Sequence, residues 1–302
     1  MSTATLVNIG KRKLALSNLN KVLYPQAGFT KADMIAYYRA VAPALLPHLE
    51  DRPLTLKRYP NGVDQQFFYE KRCPSHKPEW VETAKVWSES NDDHMFFCLA
   101  NDVPTLVWVA NLASIELHTF LSKRPDVSRP TSFVFDLDPG PPATILDCIP
   151  VALRLRELLE RLKLQCFIKT SGGKGLHIWV PLNTETTFEQ TKEFAHLVAI
   201  TLERHDPKHV TSNMRKDLRP GKIFIDWSQN DEHKTTVCVY SLRARQRPTV
   251  STPLTWKEVE AAGRHRKVER LTFEAKGVLK RVEKFGDLFE PVLKMKQRLP
   301  SF

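Results

Sequence analysis

The sequence predicts an α+β fold, with mixed or antiparallel β-sheets flanked by helices. Two observations favour this class over a doubly wound parallel fold. The order along the middle of the chain is strand, helix, hairpin, helix, strand. The break SGGKG joins two apolar, strand-like runs at a distance that is typical of a hairpin. No internal repeat, low-complexity segment or Gly/Ser linker divides the 302 residues, so we expect a single domain.

The N-terminal third mixes helix and strand patterns. The run TKADMIAYYRAVAPALLPHL predicts a helix that opens at Thr30, with Asp33 as the acid of a capping box. PLTLKRYP alternates like a strand. TLVWVANLASIELHTF is apolar at both the helical and the strand period, so its assignment stays open.

The rest of the chain has clearer patterns. Strands are predicted for SFVFDLD, QCFIKT, LHIWVPL, GKIFIDWSQ and TVCVYSLRAR. Amphipathic helices are predicted for TILDCIPVALRLRELLERLKL, for TFEQTKEFAHLVAITLERH and for most of the tail from TWKEVEAAGR onward, above all GVLKRVEKFGDLFEPVLKMKQRL. The domain 1–302 is thus expected to have an N-terminal α/β part to about 125, a core over about 126–253 and a helical tail over about 254–302.

The charge balance indicates a polyanionic partner. Lys and Arg number 45 against 34 Asp and Glu, a net charge of +11, with nine basic and three acidic residues among the first 60. Nucleic acid is the first expectation, and a solvated basic surface without a ligand is the alternative. No apolar run approaches the roughly 20 residues that a membrane helix needs, and the start lacks the apolar centre of a signal peptide, so we expect a cytoplasmic protein with no membrane partner.

The cysteines do not predict a zinc site or a disulfide. Five cysteines form an odd, scattered set without a CxxC pair, so reduced and mostly buried thiols are expected. Cys73 and His76 have a spacing that zinc can use, but a structural site needs a second pair, which His94 and Cys98 would supply only by chance of folding. No zinc is therefore expected.

Two carboxylates at a strand end are the first candidate for chemistry. In the strand SFVFDLD, Asp136 and Asp138 point to the face opposite Phe135 and Leu137, about 7 Å apart along the strand. A third acid, Asp226, interrupts the apolar strand KIFIDWSQ, where burial would be costly without a partner. Three such acids on neighbouring strands would form a hard oxygen site for Mg²⁺ or Mn²⁺, the kind that handles phosphates. A haloacid-dehalogenase phosphatase is disfavoured because Gly140 stands where its threonine would be.

The hairpin TSGGKGLHIW is a candidate for binding an anion. Its glycines allow backbone N–H groups, the Ser171 hydroxyl and Lys174 to approach a phosphate, with His177 on the strand that follows. It is not a Walker A loop, because Ile168 and Gly175 stand where that motif needs a glycine and a serine or threonine. On the strand predicted for TVCVYSLRAR, Arg243 and Arg245 share one face and are expected near Asp226. Metal-binding acids, phosphate-binding cations and a basic N-terminal region together favour a nucleotidyl transferase.

The ordered motifs FVFDLDPG, TSGGKGLHIW, KIFIDWSQN and YSLRAR, with NKVLYP and KRYPNGVDQQFFYEK upstream, resemble the polymerase domain of bacterial DNA ligase D. The resemblance runs from about Leu16 to about Pro253, and the helical tail matches it only loosely. It implies an archaeo-eukaryotic primase-like core and a role in non-homologous end joining, hence a nucleoid-associated cytoplasmic location.

The resemblance also implies roles for individual residues. Asp136, Asp138 and Asp226 would bind two divalent cations, Mn²⁺ or Mg²⁺, while the primer 3′-OH attacks the α-phosphate of the nucleotide. The triphosphate would be bound by Ser171, Lys174, His177 and Arg243, with Lys234, Arg245 and His118 as further candidates. A pocket for a downstream 5′-phosphate maps to Asn18, Lys21 and Lys31, with Lys57 as an additional candidate. Phe68 and Tyr69 would stack on the template base, and Arg219, in the basic loop 211–222, would contact the template overhang.

The implied function is template-directed addition of nucleotides, ribonucleotides preferred over deoxyribonucleotides, at gapped or bridged DNA ends. Ku and a DNA ligase module are possible partners, and the chain has no KxDG adenylation motif, so it is expected to be a stand-alone polymerase or an excised module. Here the aromatic run is FFY, where the family often has paired phenylalanines, which leaves open which two rings stack. A primase that starts chains de novo and a non-catalytic DNA-end-binding module stay open as alternatives.

Overall fold

The computed structural model describes residues 4–89 and 92–300. Its strands, in chain order, are β1 (Thr5–Ile9), β2 (Arg12–Leu16), β3 (Val22–Tyr24), β4 (Phe29–Thr30), β5 (Leu54–Arg58), β6 (Phe68–Glu70), β7 (Thr83–Ser88), β8 (Asp93–Cys98), β9 (Ser114–Thr119), β10 (Ser132–Pro139), β11 (Phe167–Thr170), β12 (Leu176–Pro181), β13 (Val210–Thr211), β14 (Ile223–Asp226), β15 (Thr236–Val237) and β16 (Pro253–Leu254). The α-helices are α1 (Lys31–Leu49), α2 (Val103–Asn111), α3 (Ile145–Arg161), α4 (Phe188–His205), α5 (Trp256–His265), α6 (Ala275–Phe285) and α7 (Pro291–Lys294). The α+β prediction, with mixed and antiparallel sheets, is confirmed.

The chain divides into two compact units. The first unit contains residues up to Pro125 together with Thr235–Val250 and Glu274–Gly286, and the second contains Asp126–Lys234, Ser251–Phe273 and the C-terminal segment from Asp287. Thr235–Val250, from the predicted core, and Glu274–Gly286, from the predicted tail, therefore lie in the first unit.

The first unit is built on an antiparallel sheet with the strand order β15-β9-β5-β8-β7, and β6 pairs with β5. Helix α1 begins as predicted: the Thr30 side chain accepts from the Asp33 backbone N–H, and the Asp33 side chain accepts from the Thr30 backbone N–H. The ambiguous run at 103–119 forms both elements, α2 and then β9. The helix stops at Asn111 and a left-handed Ala113 turns the chain into the strand, which explains why both periods are present.

The second unit contains the sheet β13-β14-β10-β12-β11-β16, antiparallel except for the pair β13 and β14. On one face of β10, Phe133, Phe135 and Leu137 join a core formed with α3 and α4. Burying each of these side chains contributes roughly 1.5–3 kcal/mol, so the face that they occupy is strongly fixed. The opposite face of the strand is left to Val134, Asp136 and Asp138.

Two predictions about local structure are wrong. The run TVCVYSLRAR is a strand only at Thr236–Val237, which pairs with β9 in the first unit's sheet, and Tyr240 has a left-handed φ of 64° that ends the extended run before the arginines. The last predicted helix is two helices, because the chain leaves α6 at Gly286, where φ is 68°.

The cysteine prediction is wrong for one pair. Cys73 and Cys98, 25 residues apart, form a disulfide in the first unit. The loop after β6 lies against β8, where the Cys73 N–H donates to the Phe96 carbonyl at 2.6 Å, and this contact brings the two sulfurs together. Cys148, Cys166 and Cys238 are buried thiols outside this disulfide, as predicted.

Candidate active site and phosphate cavity

The carboxylates of the second unit lie on one face of its sheet. Asp136 in β10 is directly opposite Asp226 in β14, and Asp138 follows two residues later on the same face of β10. Register partners in an antiparallel pair share a face, so the three acids predicted from the sequence are brought together. Among residues 4–89 and 92–300, however, no group of three or more His, Cys, Asp or Glu side chains is already arranged to hold a metal ion.

Neighbouring side chains contact two of the three acids. Asp226 accepts from the Ser228 N–H at 3.0 Å, from the Ser228 hydroxyl at 2.6 Å and from the Gln229 side chain at 2.9 Å. Asp136 Oδ1 lies 3.2 Å from His177 Nε2. Three hydrogen bonds thus fix the Asp226 carboxylate, and the His177 ring lies beside the Asp136 carboxylate.

The crowding of the carboxylates is evident in the pKa of Asp138. Burial and the neighbouring Asp136 and Asp226 raise its pKa to about 6, although Lys174 and Arg219 act in the opposite direction. Crowded carboxylates behave in this way when no cation neutralises them. The donor set therefore fits a divalent cation, which would remove the repulsion.

The glycine turn lies against β10. A Cβ atom on Gly175 would stand 2.1 Å from the Leu137 carbonyl oxygen, so only glycine allows this approach. The Lys174 ammonium donates to the Pro139 carbonyl at 3.4 Å, which places its charge near Asp138. The Gly173 and Gly175 N–H groups donate to the Ser171 hydroxyl oxygen at 3.1 and 3.2 Å, instead of pointing outward as the sequence had suggested.

Lys234 and Arg219 lie at the two ends of β14. The Lys234 ammonium donates to the Ser228 hydroxyl at 2.7 Å, and that hydroxyl is bonded to Asp226. The Arg219 guanidinium lies over the Phe224 ring, 3.6 Å from its centre, and donates to the Met214 carbonyl at 2.7 Å. Arg219 is therefore held beside the carboxylates, and its predicted template contact stays a prediction.

One further residue of this face was missed at the sequence level. Lys169 in β11 is fully buried, and its Nζ lies 3.1 Å from His177 Nδ1. The signal was present, because the lysine in QCFIKT sits two residues before SGGKG in an otherwise apolar strand. A lysine inside such a strand needs a polar partner.

The first unit contains a charged cluster around Glu116. This buried carboxylate lies 2.9 Å from His118 Nε2, 3.2 Å from Arg243 Nε and 3.7 Å from Lys57 Nζ, and it accepts from the Ala244 N–H at 3.0 Å. Burial raises the pKa of Glu116, but the hydrogen bond with His118 and the charges of Arg243 and Lys57 outweigh it, so this pKa lies well below its usual range. His118 and Arg243 were predicted, while Glu116, which holds them, was not. Arg245 follows Arg243, and its N–H donates to the Arg243 carbonyl at 2.9 Å.

The aromatic run of the first unit divides between two faces. Tyr69 pairs with Lys57 across β6 and β5, and Phe68 pairs with Arg58. Phe67 lies on the Lys57 side, where it stacks on Tyr59 with ring centres 5.2 Å apart and meets Tyr69 edge-on at 5.8 Å. Phe67, Phe68 and Tyr69 are 48, 45 and 56% exposed. The predicted pair of Phe68 and Tyr69 therefore does not share a face, whereas Phe67 and Tyr69 do.

The first unit also has a basic cavity of about 520 Å³. Asn18, Lys21 and Lys31 line it, as do Lys13, Arg58 and His76. Arg58 lines this cavity and Lys57 does not, because alternation along β5 turns Lys57 to the Glu116 side.

The lysines of this cavity are held firmly. Lys31 donates to the Ser17 carbonyl at 2.7 Å, and Lys21 donates to Asn61 at 2.7 Å. Burial and the nearby charges of Lys21 and Arg58 lower the pKa of Lys31 to about 8. Cations that are crowded in this way favour a bound anion.

An α+β domain that combines a carboxylate face with adjacent lysines has the features of a nucleotidyl transferase. The family model "LigD, primase-polymerase domain" matches residues 30–289, which includes most of the helical tail. The chain is 40% identical over 282 residues to the multifunctional non-homologous end joining protein LigD of Mycolicibacterium smegmatis, covering 93% of this chain and 36% of that protein. It is 32% identical over 255 residues to the bifunctional non-homologous end joining protein LigD of Bacillus subtilis, covering 83% and 40%.

A solved structure gives the same result. The polymerase domain of Mycobacterium tuberculosis ligase D in complex with DNA matches with a TM-score of 0.86 and 37% identity, over 94% of this chain and 99% of that one. The chain belongs to the LigD primase-polymerase domain family, a family of polymerase-type nucleotidyl transferases. It spans 36 to 40% of the length of the curated relatives reported above. No helix within residues 4–89 and 92–300 is long and apolar enough to cross a membrane.

Proposed function

We propose that this chain is a template-directed polymerase of non-homologous end joining that adds nucleotides, preferentially ribonucleotides, to primer 3′ ends at gaps or bridged breaks. The observation that carries the proposal is the common face of Asp136, Asp138 and Asp226, with Asp136 and Asp226 directly opposite each other. The raised pKa of Asp138 supports a site that is completed by added positive charge.

The three carboxylates are the groups that would hold two divalent cations, Mn²⁺ or Mg²⁺. When bound, such cations neutralise charge on the attacking and leaving oxygens of a phosphoryl transfer. Ser228 and Gln229 hold the Asp226 oxygens in place, which limits the reorganisation of this side chain. The family relationship suggests attack of the primer 3′-OH on the α-phosphate with loss of pyrophosphate.

The groups beside the carboxylates suit a triphosphate. Lys174 reaches this face from the glycine turn, and Lys234 reaches it from the segment after β14. Ser171 acts mainly by closing the turn, because its oxygen accepts from two turn N–H groups. Roles for His118, Arg243 and Arg245 in nucleotide binding rest on the resemblance.

The basic cavity of the first unit suits a downstream 5′-phosphate. A terminal phosphate carries more negative charge than a backbone diester, so the crowded cations of Lys21, Lys31 and Arg58 would favour it over continuous backbone. Asn18, on the wall of the cavity, adds an amide group. Ku and a ligase module are proposed partners, since the relatives named above are multifunctional or bifunctional end joining proteins.

Extension of a gapped primer-template tests the proposal. We expect extension with Mn²⁺, faster with NTP than with dNTP, and faster when the downstream strand carries a 5′-phosphate. Asp136→Ala and Asp226→Ala should abolish extension while DNA binding persists. Lys21→Ala should remove the benefit of the 5′-phosphate, while Lys280→Ala, which removes an exposed lysine of α6, should not.

Two further results would redirect the proposal. Failure to extend any primer with either cation would contradict polymerase activity and favour a non-catalytic end-binding module. Synthesis on a template without a primer would identify a primase.

A further inference from the structure

Lys169 completes a row of neighbours across four adjacent strands. Asp226 in β14 is opposite Asp136 in β10, Asp136 is opposite His177 in β12, and His177 is opposite Lys169 in β11. Register partners in antiparallel strands point to the same face, so the four side chains form one line. From one end to the other, the row consists of two carboxylates, an imidazole ring and a lysine.

The lysine is enclosed at its end of the row. It has no solvent-exposed surface, and its Nζ donates to the Ser251 hydroxyl at 2.7 Å and lies 3.1 Å from His177 Nδ1. The Ser251 hydroxyl in turn donates to the Thr170 carbonyl at 3.0 Å. Burial of a lysine is costly, so these bonds fix the position of the ammonium group.

This position determines which nitrogen of His177 carries the proton. When Lys169 is protonated, its ammonium group has three N–H donors and no acceptor, so the ring nitrogen that faces it must accept. Nδ1 is then unprotonated, and the proton of the neutral ring lies on Nε2, which is 3.2 Å from Asp136 Oδ1. The other tautomer would place a lone pair against that carboxylate oxygen and an N–H against the ammonium.

We propose that Lys169 is a positioning residue of this site: it holds His177 as the Nε2–H tautomer, with Nε2 on the side of Asp136, 3.2 Å from its Oδ1, and on the face that would receive the triphosphate. The inference rests on the proposed function for its consequence in catalysis, and on geometry alone for the tautomer. A histidine partner on the far side of the ring is known to set tautomer and orientation in phosphate and metal sites. Lys169 acts through His177 and does not touch substrate.

The tautomer can be measured in the unaltered protein. Long-range ¹H–¹⁵N spectra of the histidine rings, at neutral pH and without metal, distinguish the two neutral tautomers and the doubly protonated ring. The His177 signals are assigned from their loss in His177→Gln. We expect the Nε2–H pattern, and either the Nδ1–H pattern or a doubly protonated ring would overturn the proposal.

Substitutions test the consequence. Lys169→Met keeps the side-chain length without the donors, and it should mix the His177 tautomers and lower Mn²⁺ affinity or kcat by about 10-fold or more, with little change in the KM for the primer. Lys192→Met, which removes a lysine paired with Asp231 outside the row, should change neither. Ser251→Ala removes the other partner of Lys169 and should give a smaller change in the same direction.

A double-mutant cycle separates positioning from packing. If Lys169 acts through His177, Lys169→Met should have almost no further effect on kcat in a His177→Gln background. Equal effects in the two backgrounds would overturn the proposal, as would unchanged tautomers in a folded Lys169→Met protein. If the chain extends no primer but His177 has the Nε2–H pattern, the proposed function fails and the tautomer assignment stands.

Discussion

The two units each place acids on a sheet face, and the surroundings shift the pKa of Asp138 in one unit and of Glu116 in the other in opposite directions. In the second unit, Asp138 has Asp136 and Asp226 as neighbours, and its pKa rises to about 6. In the first unit, Glu116 has His118, Arg243 and Lys57, and its pKa falls well below the usual range. Glu116 is thus neutralised by the chain itself, while the acids of the second unit lack part of the positive charge that they need. Only the latter arrangement is suited to an added cation.

Removing the charge of Glu116 should have the largest effect on stability. Glu116→Gln leaves Lys57, His118 and Arg243 close together without their carboxylate, and breaking buried ion pairs in this way typically costs about 3–5 kcal/mol. We expect that loss in the free energy of unfolding from urea denaturation at pH 7.5. Glu50→Gln, which removes an exposed partner of Lys123, should cost less than about 0.5 kcal/mol.

The pH dependence sharpens this prediction. A lowered carboxyl pKa contributes stability that is fully present above the unfolded-state value and is lost only as the pH falls toward the folded-state value. The difference between wild type and Glu116→Gln should therefore not shrink from pH 7.5 to about 5, where protonation of His118 beside Glu116 adds to it, and it should shrink below about pH 4. A difference that already disappears at pH 6 would contradict the role assigned to Glu116.

Displacing the glycine turn should disturb the carboxylates of the second unit. Gly175→Ala places a methyl group 2.1 Å from the Leu137 carbonyl oxygen, next to Asp138, so the turn or β10 must move. Overpacking of this kind costs about 1–3 kcal/mol, measured as a loss in unfolding free energy, and extension should fall with it. Gly277→Ala, where the new methyl group meets nothing within 4 Å in helix α6, should be neutral or stabilising.

Removing charge from the crowded acids should stabilise the metal-free protein. A raised carboxyl pKa means that the folded state binds a proton more tightly than the unfolded state, so its stability falls as the pH rises from about 4 through 6. Asp138→Asn should thus raise the unfolding free energy by about 1–3 kcal/mol at pH 7.5 and by almost nothing near pH 4. Mn²⁺ should raise the melting temperature of the wild type more than that of the variant, and equal shifts would argue against a cation at Asp138.

The cationic cavity should give the smallest effect, and one that depends on pH. Because the pKa of Lys31 is about 8, its charge is partly lost between pH 7 and 9. The preference for a gapped DNA with a 5′-phosphate over one with a 5′-hydroxyl should therefore decrease by up to about tenfold over this interval. Lys31→Arg keeps its charge throughout, so a preference that falls equally in this variant would exclude Lys31 as the cause.

Sequence periodicity was sufficient for the carboxylate face and insufficient for what surrounds it. Alternation along SFVFDLD placed Asp136 and Asp138 together, and the capping box fixed the start of α1. Pairing partners far apart in sequence could not be read in this way, as with Glu116 and Arg243, which come together only when the chain folds. Lys169 and His177 lie in the predicted hairpin, but their pairing depends on its exact register. The disulfide of Cys73 and Cys98 was missed for the same reason, since loop packing brings the two cysteines together.

Local backbone reversals account for the remaining differences. Tyr240 and Gly286 both adopt positive φ, and neither reversal has a strong signal in an otherwise apolar or amphipathic pattern. The division of FFY between two faces also needed the register of β6 with β5, which the run of three aromatic letters does not contain.

The double pairing of β10 has a consequence for how this domain can change in length. Both β12 and β14 hold β10 in register. One residue inserted before Asp136 would therefore exchange the two faces of the rest of the strand. The acids would then point into the core that packs against the helices, and the apolar side chains would point outward. Insertions and deletions are therefore tolerated only in the connections that leave this strand, and its length becomes a fixed dimension of the domain.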